Sequence, residues 1–311
     1  MADEKWISGL RPHMPTSEAA RLTLSRRLEA VQDRLPGAVF QSEEDTEHVH
    51  QLRVSSRRAS AALRIFADLL PAPLHQKTKK SLRSLRRAAG EARDWDVMLE
   101  SMRSRLTGSR VPERRGLDFL LGFAQGHRVL AQQHLGEAYA SKAEKFKQNI
   151  RDIENALDAS RPGPSLTTLA GPMLTTLLQE LETAAKSDLQ HYEALHKVRI
   201  LGKQLRYAME IFECCFAPDF RDKHYPSVVE MQDILGLAND SYSACQRLFA
   251  LRARLLRTAP KQWSLYRVGI ERLIQFHERR LPLQRKKFER WWKAWLKSGG
   301  ESGLMFSIRA R

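Results

Sequence analysis

Acidic residues, cysteines and long apolar runs are all scarce in this sequence, and each shortage removes a class of protein. The three cysteines are Cys214, Cys215 and Cys245, with no Cys-x-x-Cys pair. An odd number without that spacing argues against a disulfide framework and against a zinc site, so they read as small buried thiols in a reducing compartment. No apolar run approaches the ~18 residues that a membrane-spanning helix needs. The N-terminal Met1-Ala2-Asp3-Glu4-Lys5 is not a basic region leading into an apolar stretch, so the expectation is a cytoplasmic protein without a secretory signal. A Gly-rich phosphate loop, a paired Asp/Glu metal motif and a Ser-His-Asp arrangement are all missing. The reading is therefore of a non-enzyme, with no catalytic residues, no cofactor and no metal.

Acids number 36 against 52 Lys and Arg, leaving a formal net charge of +16 and a pI near 10.1. Such a balance does not determine a fold, but it favours anionic partners: nucleic acid, phosphate polymers or acidic membrane. With 42% hydrophobic residues over 311 positions, the chain has ample material for a core.

Helix signals fill the chain. Leu, Ala, Arg, Glu and Gln, with apolar residues at three- and four-residue steps, mark 16–35, 45–70, 74–106, 113–158, 165–186, 190–216, 226–258 and 260–297. Breaks fall at Pro36-Gly37, Pro71-Ala72-Pro73, Pro112, Arg161-Pro162-Gly163-Pro164, Pro218 and Pro260. Four glycines in 113–158 (116, 122, 126 and 136) predict a kink or break there. The expected fold is all-α, two antiparallel four-helix bundles related by pseudo-two-fold symmetry. Their limits are 16–160 and 165–297, with an N-terminal segment 1–15 and a C-terminal tail 298–311.

An internal repeat supports this division. His50 and His196 lie 146 positions apart, and the same step relates eleven identical pairs between residues 47 and 94 without a gap. They include Glu47/Glu193, Arg53/Arg199, Phe66/Phe212, Gly90/Gly236 and Asp94/Asp240; Arg57/Lys203 and Val54/Ile200 are conservative pairs in the same register.

At about 100° per residue from His50, Arg53, Arg57 and Arg64 fall at about 300°, 340° and 320°, on one face of a helix. Leu52, Ala59, Leu63 and Phe66 occupy the opposite face, which is the expected core side. In the second copy His196, Arg199, Lys203 and Arg206 share a face with Tyr207 beside them, while Glu210 stands where the first copy has Arg64. The next helix of the first copy adds Lys79, Arg83, Arg86 and Arg93 beside an apolar face of Leu82, Leu85, Ala89 and Ala92, with Gly90 to admit a close backbone. Val229, Gln232 and Asn239 replace three of these cations in the second copy, so the first copy is expected to dominate. Arg presents a fork of donors matched to phosphate oxygens, and Lys a compact charge. A basic face alone is usually only solvated; its recurrence at a fixed step favours a phosphate-type ligand. The histidines read as helix-start residues paired with Glu47 and Glu193, and Asp94 and Asp240 as helix caps or as acids that orient arginines.

His50-Gln-Leu-Arg53-Val-Ser-Ser-Arg57-Arg58, with Leu63-Arg64-Ile-Phe66, resembles the first signature of the CHAD family, the conserved histidine α-helical domains. Leu85 to Asp96 resembles its next element, and His196 to Tyr207 and Met231 to Asp240 resemble the second-half motifs. The layout is similar over roughly 16–297. The resemblance implies two bundles around a basic central groove or pore that binds inorganic polyphosphate, and association with polyphosphate granules. The site residues it implies are His50, Arg53, Arg57, Arg58, Arg64, Lys79, Arg83, Arg86, Arg93, His196, Arg199, Lys203, Arg206 and Tyr207. Family members are often fused to triphosphate-processing domains, for which the segments outside 16–297 leave no room. Gln204 after Lys203, and Glu210, depart from the pattern.

Two other function classes compete. A nucleic-acid binder fits the net charge equally well, and Trp291, Trp292 and Trp295 stand among Lys286, Lys287, Arg290 and Lys293; their spacing suits core packing better than a stacking platform. An enzyme on phosphate chains would need a metal site such as His48, His50 and Glu43-Glu44-Asp45, a run that reads better as a solvated helix start.

Overall fold

Strong helix formers with an apolar stripe at helical spacing fold as that pattern dictates. In the computed structural model, residues 5–106, 110–157 and 163–309 are described; they form nine α-helices and no strand. These are α1 (Thr16–Phe40), α2 (Glu47–Ile65), α3 (Ala72–Leu106), α4 (Val111–Ala156), α5 (Leu166–Ala185), α6 (Tyr192–Phe212), α7 (Tyr225–Thr258), α8 (Pro260–Lys297) and α9 (Gly300–Arg309). None is long and apolar enough to cross a membrane. The 146-residue step reappears in the backbone. A three-residue 3-10 turn, Ala67–Leu69, follows α2, and its counterpart Glu213–Cys215 follows α6.

In the first half α1 packs on α2 and α4, α2 on α3, and α3 on α4, which closes a ring of four helices. In the second half α5, α6, α7 and α8 pack in sequence, and α9 joins α8 back to α5. Residues 300–309, expected as a tail, are thus a helix whose Leu304 and Ile308 are buried. The N-terminal segment is also integral: Ile7, Leu10 and Met14 enter the core, and Trp6 packs edge-on against Tyr225 at 4.8 Å between ring centres. One apolar cluster runs through both halves, so the bundles share a core. Arg161 and Pro162 of the expected linker lie outside the described residues.

Two contacts pair like with like across the halves. Pro15, before α1, and Ser165, before α5, form an antiparallel bridge, in which Thr16 N–H donates to the Pro164 carbonyl and Leu166 N–H to that of Met14 (both 2.9 Å). Farther away, α4 crosses α8 at Gly116 and Gly269. A Cβ added to either glycine would lie 2.7 Å from the other's Cα and against a carbonyl three residues before it, Tyr266 or Glu113.

Three local expectations change. The α4 helix runs unbroken for 46 residues: a glycine lowers helix propensity by only about 1 kcal/mol, and the long buried stripe from Leu117 to Ile153 outweighs it. The α1 helix continues through Pro36 to Phe40, because a proline in the last turn removes one hydrogen bond while Leu35 and Ala38 extend the buried stripe. Gly90 admits no neighbouring backbone; the nearest foreign atom to its added Cβ is Arg53 Nη1, at 4.0 Å. Elsewhere the apolar faces are as expected: Leu52, Ala59, Leu63 and Phe66 on α2, and Leu82, Leu85, Ala89 and Ala92 on α3, are all buried. Cys215 and Cys245 are buried and Cys214 half-buried. Trp292 and Trp295 sit in the core, and the Trp291 indole donates to Glu230 at 2.9 Å.

The Gly116–Gly269 crossing leaves no space for a methyl group between two backbones. Gly269→Ala is expected to force α4 and α8 apart at a cost of about 1–3 kcal/mol. Thermal unfolding measures this, and Gly122→Ala, where the added methyl meets nothing within 4 Å, should be neutral or mildly stabilising.

Candidate functional site

The two basic stripes face one another. Helices α2 and α6 pack together, and beside their contact lies a cavity of about 810 Å³. From α2 it is lined by His50, Arg53 and Arg57, from α3 by Arg93, and from α6 by Arg199, Lys203, Arg206 and Tyr207. Helix α7 adds Asp240 and Arg247. Eight of the fourteen residues singled out in the sequence therefore meet in one space, four from each half.

Burial and crowding perturb these groups strongly. Burial pushes the Lys203 ammonium down to about 5, and Arg57, Arg199, Arg53 and Arg206 reinforce the shift by repulsion. The Lys203 amine is consequently neutral at pH 7 in the free protein. Burial, and then the charge of Arg53, lowers Arg57 to about 10, with its hydrogen bond to Tyr207 opposing the change; it stays charged. His50 is held below the usual histidine range by burial and Arg93, and His196 by burial, Arg199 and Lys203.

The cations are aimed by fixed partners. Arg53 Nη1 donates to the Gly90 carbonyl at 3.0 Å and to Asp94 at 2.5 Å. Asp94 also accepts from Arg247 at 3.0 Å. Burial alone would raise Asp94, but Arg53 and Arg247 hold it below the ordinary carboxylate range. Both Asp94 and Asp240 lie inside long helices, so neither is a cap, and Asp94 has the orienting role. Arg206 donates to the Tyr207 hydroxyl at 3.1 Å.

The remaining sequence-derived residues lie outside the cavity lining. Arg58 is buried, and its Nε donates to Glu210 at 2.7 Å. Arg27 (3.9 Å), Arg206 (4.0 Å) and the Tyr225 hydroxyl (2.8 Å) surround the same carboxylate. Arg58 is thus an internal ion-pair residue: eight positions from His50 put it about 80° round the helix, off the stripe. Arg64 is exposed at the far end of α2 in the field of Glu180. Lys79, Arg83 and Arg86 are exposed along α3, and Arg86 reaches the Ser60 hydroxyl at 3.5 Å. His196 does not pair with Glu193. Its Nδ1 lies 3.2 Å from the Tyr192 hydroxyl, which donates to Asn239 at 3.0 Å. Asp45 accepts from Glu47 N–H at 2.8 Å, giving the acidic run before α2 a local role.

Sequence reasoning missed Arg247, Arg105, Arg280 and His277 in the lining. Their positions fall beyond the ungapped repeat, and only side-chain contacts across the cavity, Arg247 with Asp94 and Arg105 with Phe276, bring α7 and α8 to face α3 there. Asp94 was a usable signal for Arg247, since a paired acid on a cationic wall needs a second cation to remain charged.

A family model for the CHAD domain matches residues 22–248. The chain belongs to the CHAD family. The crystal structure of the CHAD domain from the plant Ricinus communis is similar to it with a TM-score of 0.75 and 21% identity, covering 93% of this chain and 94% of that one. PptA from Streptomyces chartreusis is similar with a TM-score of 0.66 and 20% identity, covering 90% and 99%. No curated protein sequence matches the chain. Membership of the CHAD family carries a general association with polyphosphate.

The two kinds of cation should respond oppositely to removal. Arg58→Met leaves Glu210 buried with weaker partners and is expected to cost about 2–3 kcal/mol. Lys203→Met should raise stability at pH 7 by on the order of 1 kcal/mol. Between pH ~5 and the ordinary lysine value of 10.5 the unfolded chain holds a proton that the folded amine releases, and this replacement removes the cost of releasing it. Denaturant unfolding of both variants gives the signs.

Proposed function

We propose that this CHAD protein binds inorganic polyphosphate in the cavity between α2 and α6, without catalysis. The observation that carries the reading is the convergence of Arg53, Arg57, Arg199, Lys203 and Arg206 from two helices on one space. Like charges brought this close raise each other's free energy, and a linear polyanion threaded among them reverses the sign of that interaction. The arginine forks match phosphate oxygens geometrically, and several contacts along one chain release counterions together. The family association supports the same ligand. The exposed cations on α3 (Lys79, Arg83 and Arg86) extend the positive surface outward and would steer a long chain inward. Recruitment to polyphosphate granules follows from such binding.

Non-catalytic binding agrees with what the side chains do. Asp94 is engaged by two arginines, and His196 by Tyr192. Trp292 and Trp295 of α8 are buried and the Trp291 indole is engaged by Glu230, which argues against a stacking platform for nucleic-acid bases there.

Arg57→Ala combined with Arg199→Ala removes two charge-assisted contacts and is expected to weaken long-chain polyphosphate binding about 100-fold, with helicity intact. Arg309→Ala, at an exposed site, should leave affinity unchanged. Titrations at several salt concentrations, with circular dichroism on each variant, check both. Equal losses in both variants would leave net charge as the whole explanation. Displacement of long-chain polyphosphate by nucleic acid at equal charge concentration, or sustained phosphate release in the presence of Mg²⁺, would contradict the reading.

A further inference from the structure

One cation of the cavity wall belongs to neither stripe. Arg247 comes from α7, and its guanidinium meets three groups supplied by two consecutive residues of α3. Nη2 donates to the Asp94 carboxylate at 3.0 Å and Nη1 to the Asp94 carbonyl at 3.4 Å. The guanidinium carbon lies over the Trp95 indole, 4.9 Å from the ring centre. The Asp94 carboxylate is divided between the two halves of the fold, its Oδ1 taken by Arg53 and its Oδ2 by Arg247. Two guanidinium groups on one acid keep a net positive charge. The Arg247 side chain is 29% exposed, and Arg53, Asp94 and Arg247 all line the cavity.

Trp95 is itself held. It is 8% exposed, stacks on the His127 ring of α4 at 4.8 Å and 15°, and meets Phe123 edge-on at 6.0 Å. The aromatic contacts continue to Phe119, which stacks on Tyr266 of α8 at 4.3 Å. Turning the indole away would break this row, so Arg247 rests on a fixed surface. A cation over an indole face gains about 0.5–2 kcal/mol and keeps its charge, which a second carboxylate would cancel. The repeat contains no equivalent: the 146-residue step places Ser241 opposite Trp95 and Ser101 opposite Arg247. Among the described residues Asp240, the counterpart of Asp94, accepts from Asn239 at 3.4 Å and from no arginine.

We propose that Arg247 is a further phosphate-binding cation of the cavity and that Trp95 is the residue that positions it. The inference rests on the polyphosphate reading and deepens it. Asp94 takes one N–H from each terminal nitrogen of Arg247, which leaves the rest of the five-donor fork for phosphate oxygens. The shared carboxylate sets the forks of Arg53 and Arg247 side by side, one from each half, so that neighbouring phosphates of one chain meet both.

Titration of the full chain with long-chain polyphosphate tests both roles, with thermal unfolding to verify each variant. Arg247→Gln should weaken binding about tenfold. Trp95→Leu should weaken it about fivefold, while Trp95→Phe, which restores an aromatic face, should stay within twofold of the unaltered protein. In the Arg247→Gln background Trp95→Leu should cause no further loss, because nothing is left to position. With 5-fluorotryptophan incorporated, the Trp95 fluorine resonance is assigned by its loss in Trp95→Phe. It should shift on binding in the unaltered protein and stay in place in Arg247→Gln, a readout independent of the leucine variant's stability. Unchanged affinity in Arg247→Gln overturns the binding role. A Trp95→Leu loss that persists in the Arg247→Gln background, or a stationary Trp95 resonance, overturns the positioning role; either result leaves the site between the stripes standing. If the unaltered protein does not bind long-chain polyphosphate, the polyphosphate reading itself is what fails.

Discussion

Two helices of like charge approach one another only where other contacts hold them, and here Glu210 is the central hold. Its carboxylate is buried where α1, α2 and α6 meet and is engaged by Arg58, Arg27, Arg206 and Tyr225. This cluster ties the two halves together at the end of the stripes, and the shared apolar core holds the rest. With the backbones fixed, Arg53, Arg57, Arg199 and Lys203 cannot relax apart. The response left to them is to shed charge, and Lys203 does so most completely because it is both buried and surrounded. The cavity is thus kept electrostatically unfavourable by the rest of the fold. On the function proposed above, that condition favours capture of a strong polyanion over weak or singly charged ligands.

The same view explains why the halves are alike in backbone and unlike in detail. Duplication supplies two stripes, two equivalent 3-10 turns and two long following helices. A carboxylate at the junction is needed only once, and Glu210 supplies it where the first half has exposed Arg64. The glycines at the α4–α8 crossing and the bridge before α1 and α5 fix the halves at their other contacts.

Much of this was legible in the residues. Helical periodicity, the ungapped repeat and the opposite placement of Leu52, Ala59 and Phe66 against Arg53 and Arg57 are local properties, and the structure keeps them. What sequence could not supply was the direction in which a flanking side chain faces its tertiary neighbours. Arg58 shares a motif with Arg57 yet lies about 80° from His50, and only the presence of Glu210 makes it an interior residue. Arg105, Arg247, His277 and Arg280 come from stretches of α3, α7 and α8 that no motif covers. The unbroken α4 and the helical 300–309 segment show burial overriding local glycine content and chain position.

The central claim is that the cavity stores like-charge repulsion which a bound polyanion relieves. Calorimetry of polyphosphate binding near pH 7.5, in two buffers of different ionisation enthalpy, measures this as protons exchanged on binding. A bound chain should raise Lys203 from about 5, so binding should take up protons, and affinity should fall as pH rises. The uptake should shrink by up to one proton in Lys203→Met. Binding without proton uptake, or an uptake that Lys203→Met leaves unchanged, would contradict the account.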